Sequence, residues 1–311
     1  MVHRPITARE VVMRALLITP GTASGLSLGD TLDPVPAANE VLVDVEHVSL
    51  NYGEIGFARA PEAERGAVHG WDAAGVVARA AADGSGPAVG SRVVTFGGGG
   101  AWAQLRAVPV GELAVVPDDV SLAVASAVPV AGVTALRALR RSGPLLGRRV
   151  LVTGASGGVG RFAVQLAARG GAHVVAVSGR GAGLAELGAH EVVSSLDDVG
   201  PLDVVIDNVG GPQLVRAWEL LEPGGVVQSI GWTSGEPAVF QPYSTVGPAK
   251  SLTAFQMGSD LSADLEYLTS LIAAGALTVD IGWRGSWLRY DEAAEALLGR
   301  EVTGKAVLDV E

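Results

Sequence analysis

Val150-Leu151-Val152-Thr153-Gly154-Ala155-Ser156-Gly157-Gly158-Val159-Gly160 is the stretch on which the fold turns. An apolar, β-branched run ends in a glycine-rich turn, and Arg161 to Arg169, carrying Phe162, Val164 and Leu166, follows as a helix. Strand, turn and helix in that order form a pyrophosphate site. Gly157 lets backbone approach the phosphates, Gly160 lets the helix pack close to the sheet, and the helix N-terminus supplies N–H donors and positive potential. Ala155 stands where the usual pattern has its first glycine, so the context carries the reading, with a second strand about twenty residues on.

Outward from this motif, His173–Val177, Glu191–Ser194, Val204–Asp207, Val226–Ile230 and Leu252–Phe255 are further apolar strands. Fully apolar strands alternating with helices imply a parallel sheet covered on both faces, a doubly wound Rossmann arrangement. Helices are expected at Leu261–Ala274 and Asp291–Leu298, and a closing strand at Ala306–Val310. Upstream, from Met13 to about Pro117, the segments are short and β-rich. Val41, Val43 and Val45 alternate with Asp44 and Glu46, a half-buried strand, and Gly75–Val77 and Arg92–Phe96 are two more. Two domains follow, as the 311 residues suggest.

Composition narrows the function. The chain has no Cys, which excludes disulfides, a catalytic thiolate and thiolate metal sites. With 33 acidic against 22 basic residues the net charge is −11, and the only lysines are Lys250 and Lys305, a poor basis for holding nucleic acid or an anionic membrane. Mean hydropathy is +0.36, yet Val120–Leu136, the longest apolar stretch, is broken by Pro129 and Gly132, so no membrane partner is expected. Arg14 interrupts any signal-peptide core, residues 1–12 read as an N-terminal extension, and a cytoplasmic protein is expected.

The end of the second Rossmann strand selects the cofactor. An NAD site carries Asp or Glu there for the ribose 2′-hydroxyl. Here the chain reads Val177-Ser178-Gly179-Arg180, with no acid before Glu186, so a 2′-phosphate is favoured and NADP(H) is expected.

The chain resembles the medium-chain dehydrogenase/reductase superfamily, in its zinc-free quinone oxidoreductase branch. The marks are Ser49–Glu54, Gly70–Val77, Pro129–Ala135, the glycine-rich turn, Asp207–Gly211 and Gly304–Leu308. The resemblance implies an α/β protein with a GroES-like β-rich catalytic domain (13–125 and 258–311) and an inserted Rossmann domain (126–257). It also implies a small-molecule substrate and a homodimer. Aligned on Gly75, Trp71 and Asp72 occupy the His-Glu positions of zinc-dependent relatives, and one His beside one Asp cannot build a tetrahedral site, so no metal is expected.

Candidate cofactor contacts are Gly154, Ala155, Ser156, Gly157, Gly158, Val159 and Gly160 of the turn, Ser178, Gly179 and Arg180, Asn208, Val209 and Gly231 at later strand ends, and Thr134. Asn51 and Tyr52 are the candidate catalytic donors, and Trp71 and Trp232 the pocket walls. Without a Lewis acid, hydride delivery to a quinone or enone is easier than to a plain carbonyl, because charge spreads into a hydroquinone or enolate anion that one or two donors can stabilise. Alternatives are a 2-enoyl-thioester or ketide reductase, and a crystallin-like nucleotide-binding protein without turnover. Glu54 reads as a solvated turn acid, His47 as a satisfied core histidine, and Trp283 and Trp287 as packing for the returning segment.

Overall fold

Alternating valines build the first sheet. The computed structural model describes residues 12–180 and 183–311, so the expected extension falls outside them except for Val12. β1 (Val12–Ile18) and β2 (Leu26–Leu32) pair antiparallel. β3 (Glu40–Leu50) buries Val41, Val43 and Val45 and exposes Asp44 and Glu46, as the alternation predicts. It runs on past a bulge at Val45–His47, after which Val48, Ser49 and Leu50 are all buried. A bulge re-aims the strand, and this one brings Val48 and Leu50 into the core that holds Val41, Val43 and Val45. Opposite lies Gly75, where a Cβ would sit 2.0 Å from the Asp44 carbonyl oxygen, so no other residue fits.

α1 (Tyr52–Arg59) follows β3, a helix where the two glycines suggest a turn. Then come β4 (Asp72–Arg79), β5 (Arg92–Phe96), β6 (Leu105–Pro109), β7 (Leu113–Val115) and the short helix α2 (Leu122–Ser126).

The second unit opens with a π-helical turn, Pro129–Val133, leading into α3 (Thr134–Arg141). β8 (Arg149–Val152), α4 (Gly158–Arg169), β9 (His173–Val177), β10 (Glu191–Val193), β11 (Leu202–Asp207), α5 (Gly211–Leu220), β12 (Leu221–Ser229) and β13 (Ser251–Ala254) follow. The strands form a parallel sheet in the order β10-β9-β8-β11-β12-β13. The order reverses between β8 and β11, the place where such sheets bind ligands at their carboxyl ends.

α6 (Ser262–Ala273), β14 (Ile281–Ser286), α7 (Tyr290–Leu298) and β15 (Lys305–Asp309) complete the chain. β15 lies between β14 and β3, so the C-terminus closes the first sheet, in the order β14-β15-β3-β4-β5-β7 with β6 on β3. Trp287 is fully buried in that unit's core, with Trp283 packed against it. α6 straddles the boundary expected at 258. Its Leu265 and Leu268 share a core with α3 and α4, and Arg137 of α3 holds Asp264, while Ser262 donates to the carbonyls of Val110 and Leu113. Among the described residues, no helix is long and apolar enough to cross a membrane.

Candidate active site

The glycine-rich turn has the geometry its spacing implies. A Cβ on Gly160 would lie 2.3 Å from the Gly154 carbonyl oxygen, so α4 can approach the turn only with glycine there. Gly157 is the N-cap of α4, and among the described residues no side-chain hydrogen bond caps that helix end, an arrangement that suits an anion. Ala155 is buried, and its N–H donates to Val177 O, tying the turn to β9.

The neighbouring strand ends are woven to it. Asp207, whose carboxyl is raised by burial, accepts from Thr153 Oγ1 (2.7 Å) and the Gly210 N–H (3.0 Å). Asn208 donates from Nδ2 to Thr153 O (2.9 Å), and Val209 lies against Gly154. Gly231 packs on Asn208, where a Cβ would meet the carbonyl oxygen at 2.8 Å. Trp232, 47% exposed, covers Gly210 and donates from Nε1 to Glu236 O at 2.6 Å. Thr134 is buried, its hydroxyl 3.5 Å from Met257 Sδ. At the end of β9, Ser178 Oγ accepts from the Arg180 N–H (3.1 Å), and the Arg180 guanidinium, on an exposed residue, makes a 3.5 Å contact with Val302 O.

The β-rich side holds a buried charged cluster the sequence reading did not foresee. Glu54 is fully buried, which corrects its reading as a solvated acid. Asn51 caps α1, and Glu54, three residues on, accepts from the Asn51 N–H at 2.7 Å, the reach-back half of a capping box. Its carboxylate also accepts from Asn51 Nδ2 (2.8 Å) and from the Trp71 N–H (2.5 Å). Asp72, also fully buried, accepts from Ser49 Oγ, Asn51 Nδ2 and the Val130 N–H at 2.9, 2.9 and 3.0 Å. Lys305, 3% exposed, donates to Asn51 Oδ1 (2.5 Å) and Asp72 Oδ2 (3.3 Å).

Burial, then the charge of Asp72, pushes the Glu54 carboxyl up to about 8, against the pull of Lys305 and the hydrogen bonds. Arg106, buried nearby and lowered by burial to about 10, donates to Thr95 Oγ1 and to Gly99 O of the glycine loop. His69 is lowered by burial, and its Nε2–H donates to the Glu54 carbonyl.

This cluster redefines Asn51. Both its amide hydrogens go to carboxylates and its oxygen to Lys305, so it is a bridge inside the cluster rather than a free donor. Tyr52, one residue on, is 37% exposed at the start of α1. Trp71 is half-buried against Phe57, ring centroids 5.9 Å apart. His47 is satisfied by Asp309 at 2.8 Å. Lys305 also touches the glycine-rich turn. Gly304 N–H donates to Ser156 O at 2.9 Å, Gly157 and Gly304 form a parallel bridge, and the Lys305 stem covers Gly158. The Asn-x-x-Glu spacing could have revealed Glu54, and the rarity of lysine could have drawn attention to Lys305. No local signal marks Arg106.

Among the described residues, no group of three or more His, Cys, Asp or Glu side chains is placed to hold a metal ion. Residues 37–118 match the alcohol dehydrogenase GroES-like domain, and residues 158–274 the zinc-binding dehydrogenase family. The chloroplastic quinone oxidoreductase of Triphysaria versicolor is 30% identical over 93% of this chain and 95% of its own. An erythronolide synthase of Saccharopolyspora erythraea is 35% identical over 63% of this chain, which is 6% of that protein. A mycobacterial protein complexed with NADPH superposes with a TM-score of 0.83 at 25% identity, over 96% of this chain and 99% of that one. The chain belongs to the medium-chain dehydrogenase/reductase superfamily, in its quinone oxidoreductase-like branch, a family of oxidoreductases that bind a nicotinamide cofactor.

Proposed function

We propose that this chain is an NADPH-dependent, zinc-independent reductase of quinones or other activated double bonds such as enones. The observation that carries the reading is that Trp71 and Asp72, aligned with the His-Glu pair of zinc-dependent relatives, offer no imidazole, and that the Asp72 carboxylate is paired with the Lys305 ammonium. A reaction that proceeds without a Lewis acid at these residues favours acceptors that spread their own charge.

The residues fit the cofactor. The uncapped N-terminus of α4 suits a pyrophosphate, Gly154–Gly160 leave room for it, and Ser178, Gly179 and Arg180 present donors and no carboxylate to a 2′-phosphate. Asn208, Val209, Gly231 and Thr134 are assigned to the nicotinamide end. Bound there, NADPH supplies a hydride. The protein's part is to orient the acceptor between Trp71 and Trp232 and to stabilise the enolate or hydroquinone anion. Tyr52 Oη, at the open start of α1, is the proposed donor, with Asn51 holding that lip in place. The exposed Leu252 on edge strand β13 supports a homodimer through that edge.

Reduction of a 2-enoyl thioester is the second reading, supported by the similarity to the erythronolide synthase, and it uses the same conjugate addition. The deciding experiment is NADPH oxidation across quinones, enones and enoyl thioesters, with Tyr52→Phe beside the wild type. Turnover of quinones or enones, slowed about tenfold or less in Tyr52→Phe, is expected for one donor in an open cleft. Preference for thioesters would select the second reading, and NADPH binding without turnover of any acceptor would refute both.

A further inference from the structure

Glu54 joins two pieces of backbone that the proposed chemistry needs side by side. Its Oε2 takes the N–H and Nδ2–H of Asn51, the residue before Tyr52, and its Oε1 takes the N–H of Trp71. Tyr52 begins α1 and Trp71 directly precedes β4, and their ring-bearing residues are otherwise connected on this face through Gly53 and Phe57, which pack on the Trp71 ring. Two glycines in the first five residues of α1, Gly53 and Gly56, make that helix a weak support on its own.

We propose that Glu54 is a positioning residue of the reductase, its carboxylate clamping the start of α1 to Trp71 and so fixing the proposed donor Tyr52 relative to the proposed acceptor wall. This rests on the function proposed above. Three N–H donors converging on one buried carboxylate are matched only when both oxygens are acceptors. Protonation converts one oxygen to a donor facing an N–H, so the clamp is complete only in the ionised form. The groups facing Glu54 are Asp72 from β4, Lys305 from β15, Arg106 from β6 and His69 before β4. Asp72 opposes ionisation, and Lys305 favours it.

The test compares wild type, Glu54→Gln and Lys305→Met over a pH range of about 6 to 10, bracketing the ordinary and perturbed carboxyl values. The readouts are kcat and acceptor KM with a naphthoquinone, the Kd for NADPH, and the Trp71 backbone amide resonance. In the wild type, kcat/KM for the acceptor should rise, and the Trp71 amide should shift, through a transition near pH 8. In Glu54→Gln both transitions should vanish. There, acceptor kcat/KM at high pH should fall about tenfold, the loss expected for a charge-assisted hydrogen bond, while the NADPH Kd stays within about twofold. Lys305→Met, which leaves Glu54 in place, should move the amide transition to higher pH.

A Glu54→Gln enzyme with wild-type kinetics and pH profile would overturn the proposal. So would a Trp71 amide that does not titrate in the wild type. If Glu54→Gln does not fold, an unshifted amide transition in Lys305→Met overturns it. If the wild type reduces no acceptor, the functional reading fails, and the amide titration still decides whether the clamp exists.

Discussion

Alanine at Gly157 and alanine at Gly160 should damage the protein in different ways, because the two glycines do different physical work. At Gly160 a Cβ would lie 2.3 Å from Gly154 O, 2.6 Å from Ala155 Cα and 2.9 Å from Ala155 C, all of them backbone atoms. Ordinary contact begins near 3.4 Å, so the first turn of α4 must retreat by about 1 Å. Overpacking of that kind costs about 1–3 kcal/mol, and the retreat also pulls the helix N-terminus from the phosphates. At Gly157 the nearest atom is Gly154 O at 3.4 Å, and the backbone is extended (φ −80°, ψ 177°), so an alanine fits the free protein. Its methyl group instead occupies the approach of the pyrophosphate. Losing one charge-assisted N–H bond costs about 1.5–3 kcal/mol, roughly 10- to 100-fold in affinity. Thermal unfolding and NADPH titration by fluorescence, measured on both variants, separate the two cases. Gly160→Ala should lose Tm and affinity together, and Gly157→Ala should lose affinity at nearly unchanged Tm. Wild-type NADPH affinity in Gly157→Ala would refute the assignment of this backbone to the pyrophosphate.

Arg180→Ala should weaken NADPH about 10- to 100-fold and leave NADH nearly unchanged, the difference being one charge-assisted contact to the 2′-phosphate; parallel titrations with the two cofactors check this, and an equal effect on both would refute it. Dialysis against a strong chelator should leave the rate unchanged, and elemental analysis should find no stoichiometric zinc; activity that is lost and then restored by zinc would contradict the proposed site. Glu54 should make stability fall with pH. Its carboxyl is raised from 4.5 to about 8, first by burial and then by Asp72, so the folded chain holds this proton more tightly than the unfolded one. That contribution is fully present below the unfolded value and is lost as pH rises through about 8. Tm of the wild type should therefore decline more steeply than that of Glu54→Gln between about pH 6 and 9, and parallel Tm–pH curves would count against a raised carboxyl.

The Rossmann half was legible because its signals are local. Fully apolar runs such as Val204–Ile206, a glycine turn and a following amphipathic helix each fit within a dozen residues, and β9 and β5 fall on their expected residues. Ends set by partners were less legible. β12 begins at Leu221, before Pro223 and two glycines, because Leu221 pairs with Leu202. α1 was missed because Gly53 and Gly56 oppose a helix and the stabilising contact is a carboxylate reaching back to the cap.

The candidate site divides along the same line. The cofactor turn shows in the sequence because its chemistry is backbone chemistry marked by glycine. The charged cluster does not, because most of its defining contacts are distant in sequence: Trp71 with Glu54 is separated by 17 positions, Asn51 with Asp72 by 21, and Asn51 with Lys305 by 254. A glutamate is among the residues least often fully buried, so a surface role was the natural reading of Glu54, and only the fold supplies the partners that make burial tolerable.

Those partners also explain how two domains can hold one geometry. Hydride transfer requires donor and acceptor atoms within about 3–3.5 Å, while domain interfaces move by default unless something fixes them. Here Asp72 of β4 is bonded at once to Ser49 of β3, to Val130 of the turn leading into α3 and to Lys305 of β15, and the residue before Lys305 is bonded to Ser156 in the nucleotide turn. Removing one partner of a buried ion pair costs about 3–5 kcal/mol, because the other charge is left uncompensated. A sliding motion between the units would break several such contacts together, each leaving a buried charge or polar group uncompensated. The ionisation of Glu54 that completes the clamp on Trp71 also places a second negative charge beside Asp72 in a dry interior, and so lowers stability. On the proposed function, the site would draw its order from an arrangement the fold opposes, the relation expected where a buried charge serves chemistry rather than folding.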